Sequence, residues 1–248
     1  MRALRIILII TVVLGGLFVA ADRLAVGFAE DKAADRLRTS EGLAQTPDVS
    51  IKGFPFLTQV MSGEFDEVRI GIDGLEASNE GEKVRIEELK ATMHDVAFSN
   101  NYSSATASRA TGSARISYAE LLKAAEVEPV QVMPGVTAKV TGLSDGGDGK
   151  IKVEIEVTGT MPGTGQKFTT PAEVLSSVIV DGGNTVKVRA DTMPRLTALP
   201  IADAKLREIT DFEQKVDGLP SGIGLEKVEA VADGVAISVT GSQVRLAG

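Results

Sequence analysis

Val84-Arg85-Ile86-Glu87-Glu88-Leu89-Lys90-Ala91-Thr92-Met93 alternates apolar with charged or polar residues, and the alternation slips once. Val84 and Ile86 share one phase, and Leu89, Ala91 and Met93 share the other. Period-two alternation marks a strand with one buried face. A one-residue slip inside a continuous strand is what a β-bulge produces, and a bulge bends the strand and increases its twist. The same rhythm spreads outward from this stretch. Val68, Ile70 and Ile72 share a face, with Glu67, Arg69 and Asp73 around them. Thr106–Ile116 reads as a strand of small and polar residues. Val136–Thr141 and Ile151–Val157 read as a hairpin around Asp145-Gly146-Gly147-Asp148-Gly149. Ser177–Val180 and Thr185–Arg189 read as another around Asp181-Gly182-Gly183-Asn184, and Val228–Val231 and Val235–Leu246 alternate as well.

Helical signals are fewer. Ser117-Tyr118-Ala119-Glu120 is a capping-box pattern before Leu121-Leu122, and Pro129 keeps that helix short. Pro171 to Ser177 predicts a short helix. Asp203–Val216 carries the best helical stripe of the folded part, through Leu206, Ile209, Phe212 or Glu213, and Val216, with Gly218 and Pro220 behind it. There is no βαβ rhythm, so the fold class is α+β, built from antiparallel hairpins and a few helices. No Pro/Ser-rich linker divides residues 47–248, which predicts one domain.

The N-terminus has a different character. Arg2 and Arg5 precede Ile6–Ala21, sixteen residues without a charge. As a helix this run spans roughly 24 Å at ~1.5 Å per residue, short of a ~30 Å hydrocarbon core. Ala3, Leu4 and a snorkelling Arg5 extend it. Residues 1–21 read as a membrane anchor or as a cleaved signal peptide ending near Val19-Ala20-Ala21. Either reading places the remainder outside the cytoplasm, because the positive charge stays inside. Asp22–Arg38 continues the helical pattern, so residues 22–46 form a stalk or a first packed helix, stopped by Thr46-Pro47-Asp48.

Composition narrows the chemistry. Hydrophobic residues make up 43% and aromatics only 4%, so the interior is aliphatic. Cysteine is absent, which excludes disulfides, thiol catalysis, Cys-ligated metal and a lipidated cysteine. Removing residues 1–21 takes away two arginines and no acid, leaving 24 basic and 34 acidic residues and a net charge of −10. That balance opposes nucleic-acid binding and purely electrostatic docking on anionic lipid. His94 is the single histidine, and there is no G-x-S-x-G elbow for a serine triad. Gly159–Lys167 has the wrong spacing for a phosphate loop. Asp145–Gly149 lacks the ligand spacing of a calcium loop. Glu87/Glu88 and Glu154/Glu156 read as solvated carboxylates rather than a glycosidase pair. The expectation is a protein without enzymatic activity, metal or cofactor.

Gly53-Phe54-Pro55-Phe56-Leu57-Thr58-Gln59 follows the alternating segment Val49-Ser50-Ile51-Lys52. Pro55 fixes its own φ and pushes Phe54 into an extended conformation, and Gly53 permits a sharp turn. The result is a stiff apolar corner that holds the Phe54 and Phe56 rings at a strand end rather than in a helix, and it either plugs a core or borders a cavity or membrane-facing rim. With Gly63 after it, the segment resembles the signature of the LmeA-like phospholipid-binding family, a group of actinobacterial cell-envelope proteins. Leu219-Pro220-Ser221-Gly222-Ile223, Asp233-Gly234-Val235-Ala236-Ile237 and Gly241-Ser242-Gln243-Val244-Arg245-Leu246 match as well.

The resemblance implies an elongated, strongly curved antiparallel sheet rolled around helix, akin to tubular (TULIP-like) lipid-binding folds. It also implies an extracytoplasmic phospholipid-binding function that supports lipoglycan biosynthesis, with inositol phospholipid or a mannosylated derivative as partner. A non-catalytic scaffolding module for a protein partner is the alternative, and a lipid or glycan hydrolase with two acidic residues converging in a cleft is a third reading. Apolarity and position nominate Phe54, Phe56, Leu57, Val60 and Met61 beside one opening. They nominate Leu121, Leu122, Val174, Leu175, Val178 and Ile179 as lining.

Overall fold

The computed structural model describes residues 2–79, 82–99, 104–124, 128–160, 165–192, 203–216 and 219–246. Helix α1 runs unbroken from Arg2 to Ser40, followed by β1 (Asp48–Lys52), α2 (Phe56–Ser62), β2 (Glu64–Asn79), β3 (Glu82–Ser99), β4 (Ser104–Ser117) and α3 (Tyr118–Ala124). Then come β5 (Val130–Met133), β6 (Val136–Asp145), β7 (Ile151–Thr160), β8 (Lys167–Asp181), β9 (Thr185–Ala190), α4 (Asp203–Thr210), β10 (Phe212–Lys215), β11 (Ile223–Val231) and β12 (Gly234–Leu246). The strands form two six-stranded sheets, ordered β1-β2-β3-β4-β12-β11 and β10-β9-β8-β7-β6-β5. Every pairing is antiparallel. The sheets curl strongly into a half-barrel, with the α+β class read from the alternation and the helix-associated curved sheet that the family resemblance implies.

The curl has local causes. The bulge expected on β3 does not form: the register of β2 with β3 is the same on both sides, Asp73↔Glu88 and Leu75↔Ile86, and only the Gly74/Glu87 step drops out of the ladder where the alternation of β3 changes phase. The irregular residue lies on the neighbouring strand: Gly74 has φ +63°, and a Cβ there would come within 2.7 Å of the Arg85 guanidinium. A second bend crosses the first sheet lower down. Asp95 on β3 and Gln243 on β12 both adopt φ +50° on either side of β4. Such left-handed residues break the period-two pattern, so Met93 and Val96, three apart, both enter the same core.

Two apolar cores result. One holds Val26 of α1 with Phe56, Phe65, Met93, Val96, Ala105, Ala107, Ala110 and Val244. The other fills the inner face of the second sheet with Val136, Val153, Ile155, Val157 and Val174, closed by Tyr118 and by Val228, Ala230 and Val235 from β11 and β12. The sheets are tied by backbone bonds: the Leu225 N–H donates to the Gly183 carbonyl at 2.6 Å, and the Ala230 N–H to the Gly149 carbonyl at 3.2 Å.

Two helical expectations give way to strands. Residues 171–177 lie within β8. Pro171 is paired with Glu156 of β7 on one side only, because β8 pairs with β9 only from Ser176 onward, and an edge of that kind is where a strand tolerates proline. Residues 203–216 divide: α4 stops at Thr210, and Phe212–Lys215 adds an edge strand to β9. Asp211 makes the break by accepting the Ala190 N–H at 3.0 Å. The open edge of β9 outcompetes the helical stripe because its unpaired backbone groups need partners.

Candidate functional site

The Gly53–Leu57 corner is a clamp between α1 and the sheet. Gly53 has φ +103°, and a Cβ there would collide with an Asp66 carboxylate oxygen. The Phe54–Pro55 peptide is cis. Phe56 starts α2 rather than remaining extended. Its ring stacks on Phe65 at 6.0 Å, and Phe65 meets Phe98 edge-on at 5.2 Å. Phe54, two residues earlier, is 57% exposed, against 5% for Phe56. Gln59 is buried, and its side-chain oxygen accepts the Asp66 N–H at 2.8 Å.

Asp22 completes the clamp from α1. Its side chain is fully buried, and one carboxylate oxygen accepts the Leu57 N–H at 2.9 Å while Arg23 pairs with the other. Burial by itself raises the pKa of this carboxyl. The bonds from the Leu57 and Phe56 backbone and from Arg23 outweigh it and hold the pKa below the usual carboxylate value. A depressed folded-state pKa stabilises above the unfolded value and is lost as pH falls through the folded one. Acidification below about pH 4 is therefore expected to release α2 from α1. Faster hydrogen exchange at the Leu57 amide would report it, and Asp22→Asn should abolish that pH step. Further along α1, the Ile51 N–H donates to Glu30 at 2.7 Å, so the helix is fastened to β1 as well.

Between the two cores the inner face of the first sheet forms an apolar trough. Its rungs follow from the register. Ile70, Ala91, Gly112, Val239 and Leu225 stand opposite one another on β2, β3, β4, β12 and β11. Ile72, Leu89, Ala114, Ile237 and Val228 make the next rung. On one side Ala25, Val26 and Ala29 of α1 pack with Ile70. On the other, Val228 and Ile237 belong to the second core. Ile72, Leu89, Ala91, Ala114 and Val239 lie between and join neither, and each is only half-buried. The opposite face of the same strands is polar, with Thr92, Thr111 and Thr240 in one row and Lys90, Ser113 and Ser238 in the next. An amphipathic sheet normally buries its apolar face, and here the middle of that face is left partly open. Ala91, Gly112 and Ala114 keep the floor low and leave room above it.

The sequence-nominated residues fall in three places. Leu57 and Val60 are half-buried against the core that holds Phe56, whereas Phe54 and Met61 are exposed, Met61 at 88%. Leu121 and Leu122 of α3 pack with Val178 against the second core, in which Val174 is buried. Leu175 and Ile179 point to the outer face of β8, 39% and 48% exposed. None of the eleven lies on a trough rung. Ala114 and Val239, which face the trough, are not among the residues the sequence nominates. The signal available was the small-residue strand Thr106–Ile116, which becomes a floor only once β3 and β12 flank it.

Other candidates carry less chemistry. A cleft of about 440 Å³ beside α1 is lined by Glu30, Asp31, Asp35 and Asp48, and a smaller one of about 150 Å³ lies between Glu41–Gln45 and Ile72–Glu76. Their acidic walls disfavour a phosphate. His94 Nδ1 sits 3.4 Å from Glu67 on the sheet surface. Among the described residues no cluster of His, Asp and Glu could hold a metal ion.

No curated protein and no solved structure matches the chain. A family model described as LmeA-like phospholipid-binding matches residues 20–240, from the buried Asp22 clamp through both sheets into β12. The chain belongs to the LmeA-like phospholipid-binding family.

Proposed function

We propose that this protein shelters the acyl chains of a phospholipid in the trough of the first sheet, on the extracytoplasmic side of a membrane to which residues 1–21 tether it. The half-exposed apolar rungs carry the reading. Two acyl chains hold on the order of 30 methylenes, and at ~0.8 kcal/mol each their exposure to water costs ~24 kcal/mol. A carrier needs an apolar surface long enough to cover them, and no catalytic residue. The trough supplies that surface, and the family match supports the ligand class. The N-terminal helix is long and apolar enough to cross a membrane, as a signal anchor or signal peptide is. In this reading residues 22–46 hold the 47–248 domain close to the bilayer. The lipid is an inositol phospholipid or its mannosylated derivative, handled without catalysis for lipoglycan synthesis in the cell envelope.

Native mass spectrometry of the full chain, with extraction and identification of co-purified lipid, tests this. About one phospholipid per chain is expected. A protein that arrives empty and takes no phospholipid from vesicles overturns the reading, and leaves a scaffolding role for a protein partner as the one to pursue.

A further inference from the structure

We infer that the Gly53–Phe54 corner and the adjoining surface of α1 form a membrane-seating collar, which holds the domain in contact with the outer leaflet of the bilayer that α1 crosses. The inference rests on the reading that residues 1–21 remain as a membrane-spanning segment. Its own observation is that the domain has no flexible tether. Helix α1 passes without a break from its apolar run into the domain, and the first residue after that run, Asp22, is buried and bonded to Leu57. The corner therefore sits at the level where the helix leaves the hydrocarbon.

The side chains at that level are apolar and uncovered. Leu24 is 77% exposed and Phe28 66%, on the face of α1 opposite Asp22 and Val26. Leu24 lies two residues past Asp22, ~3 Å along the axis, and Phe28 six, ~9 Å. The interfacial zone on each side of the hydrocarbon is roughly 5–7 Å deep, from a ~30 Å core in a ~40–45 Å bilayer. Leu24 falls inside it, and the Phe28 backbone lies ~2–4 Å beyond it, with side chains on a helix tilted back toward the N-terminus and so toward the zone. The Phe54 ring is held there too, 5.2 Å from the Arg23 guanidinium, and Lys32 sits 5.7 Å from the Phe28 ring. A ring directed into the interface with a cation beside it matches what a phospholipid surface presents, acyl chain below and phosphate above. The patch is continuous with Ile6–Val19, whose large apolar side chains are exposed all round the helix. A helix apolar on every side is covered by lipid, which makes the same bilayer the occupant of the collar rather than a protein.

The chain contains no tryptophan, so single replacements give clean fluorescence probes. Phe54→Trp, Leu24→Trp, Phe18→Trp and Phe212→Trp would each be made in the full chain and reconstituted into phosphatidylcholine vesicles. The vesicles would contain lipid brominated either near the carbonyl end or at mid-chain. Phe18 lies within the apolar run, and Phe212 is 54% exposed on β10, the edge strand of the other sheet. In the Phe54→Trp and Leu24→Trp proteins, indole emission is expected to be blue-shifted and mostly lost to the shallow quencher. In Phe18→Trp it should be lost to the mid-chain quencher, and in Phe212→Trp it should be unaffected. Quenching of Phe18→Trp, with Phe54→Trp and Leu24→Trp as unaffected as Phe212→Trp, overturns the collar and leaves the anchor standing. Failure to quench Phe18→Trp as well overturns both. Lipid binding in the trough is read separately by mass spectrometry and survives either failure.

Discussion

Ala114→Trp should leave the protein folded and nearly empty of lipid. Ala114 is half-buried at the centre of the trough floor, between Leu89 of β3 and Ile237 of β12. An indole there occupies the space above both rungs that an acyl chain would use. The floor is open on that side, so the larger side chain need not be forced into a packed core, where overpacking costs about 1–3 kcal/mol. Ala91→Phe, one strand away, should act in the same direction. Ile179→Trp, on the outer face of β8, should keep the wild-type lipid content. The measurement is phospholipid per chain by native mass spectrometry, with circular dichroism to confirm the fold. Wild-type lipid content in both Ala114→Trp and Ala91→Phe would place the ligand elsewhere on the molecule.

Phe56→Ala is expected to cause the largest loss of stability, about 3–5 kcal/mol, as for other buried phenylalanines. Its ring is 5% exposed and stacks on Phe65, which in turn meets Phe98. Removing it opens a cavity where α1, α2 and the first sheet meet, so the clamp at Asp22 loosens together with the core. Phe54→Ala, two residues away and exposed, should change stability by less than about 0.5 kcal/mol. Urea titration of the full chain in detergent micelles, followed by far-ultraviolet circular dichroism, separates the two. Equal losses would show that Phe56 does not carry the packing assigned to it. Gly53→Val tests the backbone of the same corner. Its φ of +103° and the approach of Asp66 leave no room for a branched side chain, and a loss of about 1–3 kcal/mol is expected in the same titration.

The chain announces its curvature in one place and hides it in another. The slip between Ile86 and Leu89 is plain in the alternation, because each strand residue has only two faces to choose between. The residue that permits it, Gly74, lies on the neighbouring strand and is found only through the pairing. Pro171 misled as a helix start, since nothing local says that β8 has an open edge at that point. Asp211 ends a helix whose apolar stripe continues past it, because the unpaired edge of β9 lies within reach only after folding.

The candidate site divides in the same way. The Gly53–Gln59 corner was legible because glycine, proline and closely spaced aromatics constrain the backbone through local sterics alone. From the sequence its two phenylalanines look alike, and only packing separates Phe56, in the core, from Phe54, on the surface. The trough has no local signature: Ala91, Gly112, Ala114 and Val239 come from three strands, and no window of the sequence contains them all. Alternation, helix length and charge are properties of neighbours along the chain, and they determined the α+β class and the apolar N-terminal helix. Which apolar face remains partly uncovered depends on contacts between distant segments, and the tertiary structure decided it through strand register and through where α1 and the second sheet come to rest.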